Sequence, residues 1–351
     1  MYSHDDCGIV PPELASHELT GIMSTRNTRI HYATDELKAM LRLEKIRYST
    51  NYDYLSLNQE DKFANQERVS EEWRRRICEW SFEVVDHFSL DREVVSIALS
   101  YLDRVVALKT QLSGEAMHRR EFQLIAVTSL YLAVKLHGES DSFHGPRRKL
   151  KILAFVELSR GLFTVDTLEA KELEILNLLE WRVNPPTTVR FLATLLRLMP
   201  EFSSLESVQH SRIVNAVYEM ARYLTELAVC VSTFSFNYKS SEIAYACILC
   251  AIEALQSKVQ IPYSARIELL NNIANATQLS PHGVTAIRHL LIDLCPAMFA
   301  TTNVTSTILQ RQDSISGCDC QENDGKISPV CVIEQCLKDD SPRKRGRHHS
   351  S

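Results

Sequence analysis

The chain predicts an all-α fold made of two consecutive five-helix units, and three observations carry that reading. Apolar residues recur at helical rather than alternating spacing through two successive sets of segments. Apart from Pro281 and Gly283 at the start of the last segment, the 10 glycines and 11 prolines fall between those segments, where they interrupt nothing; a glycine inside a helix would cost it about 1 kcal/mol. In each set the third segment, LIAVTSLYLAVKL in the first and EIAYACILCAIEAL in the second, is apolar on every side. A helix of that kind has to be wrapped by others, and five helices around one central member bury a single core.

The elements follow in order. Residues 1–35 are polar and aperiodic and read as a flexible N-terminal arm. Residues 36–66 hold a candidate N-terminal helix with a weak stripe of Leu37, Met40, Leu41 and Ile46. The first unit, 67–184, opens with a helix that places Ile77, Trp80, Val84, Val85 and Phe88 on one face. Helices over 94–108, 120–136, 150–158 and 165–181 follow, the last with Thr164 as N-cap and Asp166 in its first turn. Asn184-Pro185-Pro186 ends the unit, because proline lacks the amide hydrogen and disfavours helical geometry in the residue before it. The second unit, 185–296, has its helices over 188–199, 208–231, 241–255, 264–275 and 281–294. Residues 297–351 turn polar and read as a disordered tail.

Composition narrows the function. A formal net charge of -5 gives no reason to expect a nucleic-acid partner. No N-terminal signal pattern and no apolar run of about 18 residues is visible, so neither a membrane span nor secretion is expected. In that setting the 10 cysteines read as reduced thiols. Cys247-Ile248-Leu249-Cys250 has the spacing of half a zinc or redox site, but it lies in the most apolar segment of the second unit and reads as core. Cys318, Cys320, Cys331 and Cys336 match no standard zinc module, and no metal is assigned. Phosphate-cradling glycine loops, the zinc-protease helix motif and the nucleophile elbow are all missing from the sequence. The chain is therefore expected to be no enzyme, with no catalytic residues and no cofactor.

The positive signal is a resemblance. Trp73-Arg74-Arg75-Arg76-Ile77-Cys78-Glu79-Trp80-Ser81-Phe82-Glu83-Val84 keeps the arginine, acid, tryptophan and closing Glu-Val of the motif that opens a cyclin box. Tyr101-Leu102-Asp103-Arg104 resembles the end of that family's second helix, and the run from Phe122-Gln123-Leu124 to Leu132-Ala133-Val134-Lys135 resembles its third. Ala221-Arg222-Tyr223-Leu224-Thr225-Glu226-Leu227 and Phe236-Asn237-Tyr238-Lys239-Ser240-Ser241-Glu242-Ile243-Ala244 look like the second box. The resemblance, to a two-box cell-cycle cyclin, covers about two thirds of the chain and implies tandem cyclin boxes over 67–184 and 185–296.

It further implies a regulatory subunit that binds and activates a cyclin-dependent protein kinase. Lys135 and Glu172 would contact the kinase, and Arg74 and Asp103 would form a structural ion pair. A shallow groove of Trp73, Trp80, Glu83, Phe122 and Gln123 would recruit substrates or inhibitors with a basic residue followed by leucine. Nuclear and cytoplasmic localisation is the matching expectation. Without the alignment, Lys135 and Glu172 would read as solvated charges and Trp80 as core. Ser341, ahead of Pro342-Arg343-Lys344, is a candidate phosphosite beside a basic run suited to nuclear import, although a plain solvated tail accounts for the same residues. Three departures stand out: Leu136-His137-Gly138-Glu139-Ser140 and a longer loop with Pro146-Arg147-Arg148-Lys149 follow the lysine, Arg76 replaces an apolar residue, and no ubiquitin-degradation signal is visible in the arm. The alternatives are a transcriptional-kinase cyclin and a general transcription factor with a cyclin-like fold.

Overall fold

The computed structural model of the chain describes residues 12–48, 52–56, 69–113, 117–138, 150–202, 207–256 and 261–299, and no strand occurs among them. The tail from residue 300, including Ser341 and the four tail cysteines, lies outside the described residues, as do residues 1–11 and the loop 139–149.

The first unit begins with α2 (Glu71–His87), where the Ser70 hydroxyl accepts from the Trp73 amide and Glu71 and Glu72 sit in the positive first turn. It continues through α3 (Glu93–Ser113), α4 (Arg119–His137), α5 (Ile152–Leu158) and α6 (Val165–Leu178). Every side chain of α4 from Leu124 to Val134 is buried, against α3 along its length and α6 on another side. Thr164 caps α6 by accepting from the Thr167 amide. That helix stops three residues short of the expected 181 because Glu180 and Trp181 take left-handed backbone, with φ of 51 and 58, leaving the Trp181 ring 63% exposed.

The second unit comprises α7 (Thr188–Leu196), α8 (Ser207–Cys230), α9 (Ser232–Asn237), α10 (Ser240–Ala254), α11 (Tyr263–Thr277), α12 (Thr285–Leu294) and α13 (Pro296–Phe299). The apolar α10 packs against α7, α8 and α12. Two of these helices, α9 and α13, are too short to show a period in sequence, yet each buries a large residue, Phe234 and Met298. The packed unit thus reaches Phe299, past the expected boundary at 296.

The N-terminal expectation needs a larger correction. Residues 1–35 were expected to form a flexible arm and 36–66 a helix, but α1 runs from Pro12 to Arg47. Proline is well placed as its first residue, since that amide has no helical acceptor. Ala33, Leu37 and Met40 form the buried stripe, whereas Ile46 is exposed. The stripe is short, and it becomes legible only once α7 and α11 of the second unit are there to cover it.

The two units are not beads on a string. Both α2 and α3 rest on α8, so the first helices of one unit share an interface with the long helix of the other.

Candidate functional site

The Arg74 side chain enters that interface with no solvent exposure. Its Nε and Nη2 donate to the two carboxylate oxygens of Asp103 at 3.0 and 2.9 Å, joining α2 to α3 as a fork-to-fork pair. The remaining nitrogen donors reach the second unit: Nη1 donates to the Val229 carbonyl at 3.2 Å and Nη2 to the Ser235 hydroxyl at 2.9 Å. The Tyr54 hydroxyl donates to Asp103 at 2.8 Å, and the guanidinium lies 5.9 Å from the Phe236 ring centre. Burial by itself would lower the guanidinium pKa, but attraction to Asp103 more than offsets it, and the net displacement is upward. Tyr54 is pushed well above the ordinary phenol value, chiefly by burial and then by the Asp103 charge. The sequence pairs Arg74 with Asp103; that the same guanidinium also bolts the two units together is visible only in the fold.

A second polar network crosses the same interface. Arg92 holds Asp86 through two bonds of 2.8 and 2.7 Å and reaches Glu226 of α8 at 2.7 Å, while Arg222 pairs with Asp91 at 2.9 Å. Burial raises the Glu226 pKa despite the nearby arginines. A third network closes the far end of the first unit: Lys109 of α3 bonds Glu121 and Glu174 at 2.6 Å each, and Lys171 bonds the same two acids. The links that close these networks join residues remote in sequence, 134 positions apart for Arg92 and Glu226 and 65 for Lys109 and Glu174.

Lys135 and Glu172, the expected kinase contacts, come together from α4 and α6 with Nζ and Oε1 2.7 Å apart. The lysine side chain is 49% exposed and the glutamate 12%. The Glu172 hydrogen bond raises the Lys135 pKa, so the ammonium stays charged. Leu136 of α4, Leu153 of α5 and Leu173 of α6 are exposed.

On the outer face of α2, Trp73, Ile77 and Trp80 are half-buried at i, i+4, i+7 spacing against the core. Gln123 is half-buried as well, and Glu83 is exposed. Phe122 corrects the expected groove: it is 1% exposed and lies behind Trp73 with ring centres 6.2 Å apart, so it supports the face from within and offers no open surface. Arg76 projects to solvent, where Glu72 holds its Nε at 2.7 Å. The Arg119 guanidinium sits 5.8 Å from the Trp73 ring centre.

Five free thiols, Cys78, Cys230, Cys247, Cys250 and Cys295, are buried. Burial pushes the Cys250 thiol up to about 11 and Cys247 upward with it, the reverse of what a thiolate ligand or nucleophile requires.

The family described as "Cyclin, N-terminal domain" matches residues 36–184. The chain is 24% identical over 225 residues to the G1/S-specific cyclin-E of Caenorhabditis elegans, covering 61% of this chain and 41% of that one. It is 24% identical over 257 residues to the G2/mitotic-specific cyclin S13-6 of Glycine max, covering 69% and 51%, and 26% identical over 245 residues to Cyclin-D3-2 of Arabidopsis thaliana, covering 70% and 58%. It spans about half the length of these curated relatives. Among solved structures, a viral cyclin from herpesvirus saimiri superposes with a TM-score of 0.52 at 16% identity, over 76% of this chain and 96% of that chain, a likeness of fold.

Proposed function

We propose that this chain, which matches the cyclin N-terminal domain over residues 36–184 and is similar to curated cyclins, is the regulatory subunit of a cyclin-dependent protein kinase. The observation that carries the proposal is the Lys135–Glu172 ion pair that α4 and α6 bring together at 2.7 Å, with Leu136 and Leu173, each next in sequence to one of its members, exposed to solvent. Exposed leucines next in sequence to a fixed charge pair suit a partner surface better than solvent. The first box would press on the kinase's movable helix, complete the Lys-Glu ion pair of the catalytic site and reposition the activation loop. Such an interface would bury about 2,000 Å² or more. The outer face of α2, with Trp73, Trp80, Glu83 and Gln123, would recruit substrates or inhibitors with short basic-leucine motifs. Action in nucleus and cytoplasm completes the proposal.

The test is co-precipitation of the kinase with the Lys135→Ala, Glu172→Ala double variant. Truncating one member of a charged pair desolvated at an interface costs about 2–5 kcal/mol, so kinase recovery should fall at least tenfold while the thermal melt stays near that of the parent. Full recovery of the kinase would reject the assignment.

A further inference from the structure

We propose that the outer face of α2 reads an acidic residue as well as a basic one, with Arg119 as the residue that selects it. The inference rests on the groove reading above and specifies the class of peptide that the groove takes.

The argument starts from which charges on this face are already satisfied. Arg76 is engaged by Glu72 at 2.7 Å, and Glu72 is also bonded by Arg75 at 2.8 Å. The carboxyl of Glu72 is held below its ordinary value by these two arginines, so it stays ionised and largely cancels the Arg76 charge. A basic peptide therefore meets little net repulsion from Arg76, contrary to what the sequence suggests. Two groups remain uncompensated. Glu83 is exposed, and no cation pairs with it among the described residues. Arg119, at the other end, is exposed and lies 5.8 Å from the Trp73 ring centre, with no carboxylate paired to it among the described residues.

A guanidinium stacked on an indole keeps its planar fork of N–H donors pointing outward, and that fork matches a carboxylate with two parallel hydrogen bonds. The ring below Arg119 is itself braced by buried Phe122, which limits the positions the guanidinium takes. The face thus has polarity: a free acid at the Glu83 end, the half-buried Trp80, Ile77 and Trp73 between, and a free guanidinium at the Trp73 end. From Trp73 to Glu83 the helix rises about 15 Å, the reach of an extended peptide of about four or five residues. The matching ligand is a short linear segment with a cation at one end, apolar side chains in the middle and an Asp or Glu four or five residues from the cation.

Fluorescence anisotropy of labelled peptides on the full chain tests this. Peptides share a basic-leucine core and carry either Glu or Ala at the fourth or fifth position from the basic residue, on either side of it. An exposed carboxylate–guanidinium pair adds up to about 1 kcal/mol, equivalent to about fivefold, so the best Glu peptide should bind about three- to fivefold tighter than its Ala counterpart. That preference should shrink as salt screens it, vanish in Arg119→Ala and invert in Arg119→Glu, with the thermal melt unchanged because the side chain is exposed. Equal binding of Glu and Ala peptides, with affinity still lost in Trp80→Ala, overturns the role of Arg119 and leaves the groove reading standing. No binding by any peptide overturns the groove reading and this inference together.

Discussion

Replacing Asp103 by alanine is the most exacting test of the packing between the two boxes. It deletes both carboxylate acceptors of the Arg74 guanidinium, a side chain with no solvent exposure, and strands the Tyr54 hydroxyl that donates to the same oxygen. Removing one partner of a buried ion pair costs about 3–5 kcal/mol, because the other charge is left uncompensated in a low-dielectric interior. At about 2–4 °C of Tm per kcal/mol for a chain of this size, the expected fall is roughly 6–20 °C. Lys135→Ala breaks a pair whose lysine is half exposed, worth at most about 1 kcal/mol, and should move Tm by less than about 4 °C. Differential scanning calorimetry at neutral pH measures both. A second arm isolates the charge: Arg74→Met in the Asp103→Leu background should recover much of the loss, since apolar replacement of a whole buried pair is often neutral. Limited proteolysis should also cut Asp103→Ala more readily between the boxes, as Arg74 carries the bonds to Val229 and Ser235. An Asp103→Ala melt within 2 °C of the parent would refute the reasoning.

Three further outcomes follow from the same geometry. Glu121 and Glu174 are desolvated, but bonds from Lys109 and Lys171 outweigh this and hold both carboxyls below their ordinary value; a depressed carboxyl stabilises the fold above the unfolded pKa of about 4.3. The stability gap between parent and Glu121→Gln should therefore be fully present at neutral pH and close as pH falls below about 4, and urea titrations showing a gap unaltered by pH would contradict it. Glu44 has the opposite sign: burial raises its pKa while Ser241 donates to it from amide and hydroxyl. Relative to Glu44→Gln, the parent should gain stability as pH falls through the raised value toward 4.5, and a relative loss over that window would reverse the assignment. On the function proposed above, Trp80→Ala should lower phosphorylation of motif-bearing substrates by the kinase complex several-fold yet spare a short peptide that fills only the kinase cleft; equal losses on both would place Trp80 in the service of the fold.

What the sequence determined by itself is the part governed by local periodicity. Helical spacing, the glycine and proline gaps and the cap at Thr164 are properties of neighbouring residues, and the ten longer helices of the two units appear within a few residues of where that pattern puts them, although α6 ends at Leu178, short of Asn184-Pro185-Pro186. The motif that begins at Trp73 carried the resemblance, and it was that resemblance, not the residues by themselves, that nominated Lys135 and Glu172. Only the tertiary structure decided the fate of side chains whose partners are distant in the chain. Phe122 and Trp73 were expected to line the same groove, yet one is core and the other half-buried, since the approach of α4 to α2 selects the covered ring. Ala33, Leu37 and Met40 of α1 became core because α7 and α11 supply the cover for a stripe too narrow to stand alone. Arg74 became the junction of the two boxes because Asp103, Val229 and Ser235 converge on its planar donors from 29 to 161 positions away. Electrostatic and hydrophobic energies depend on distance in space, and no period in the sequence records which remote residues folding will bring within 3 Å.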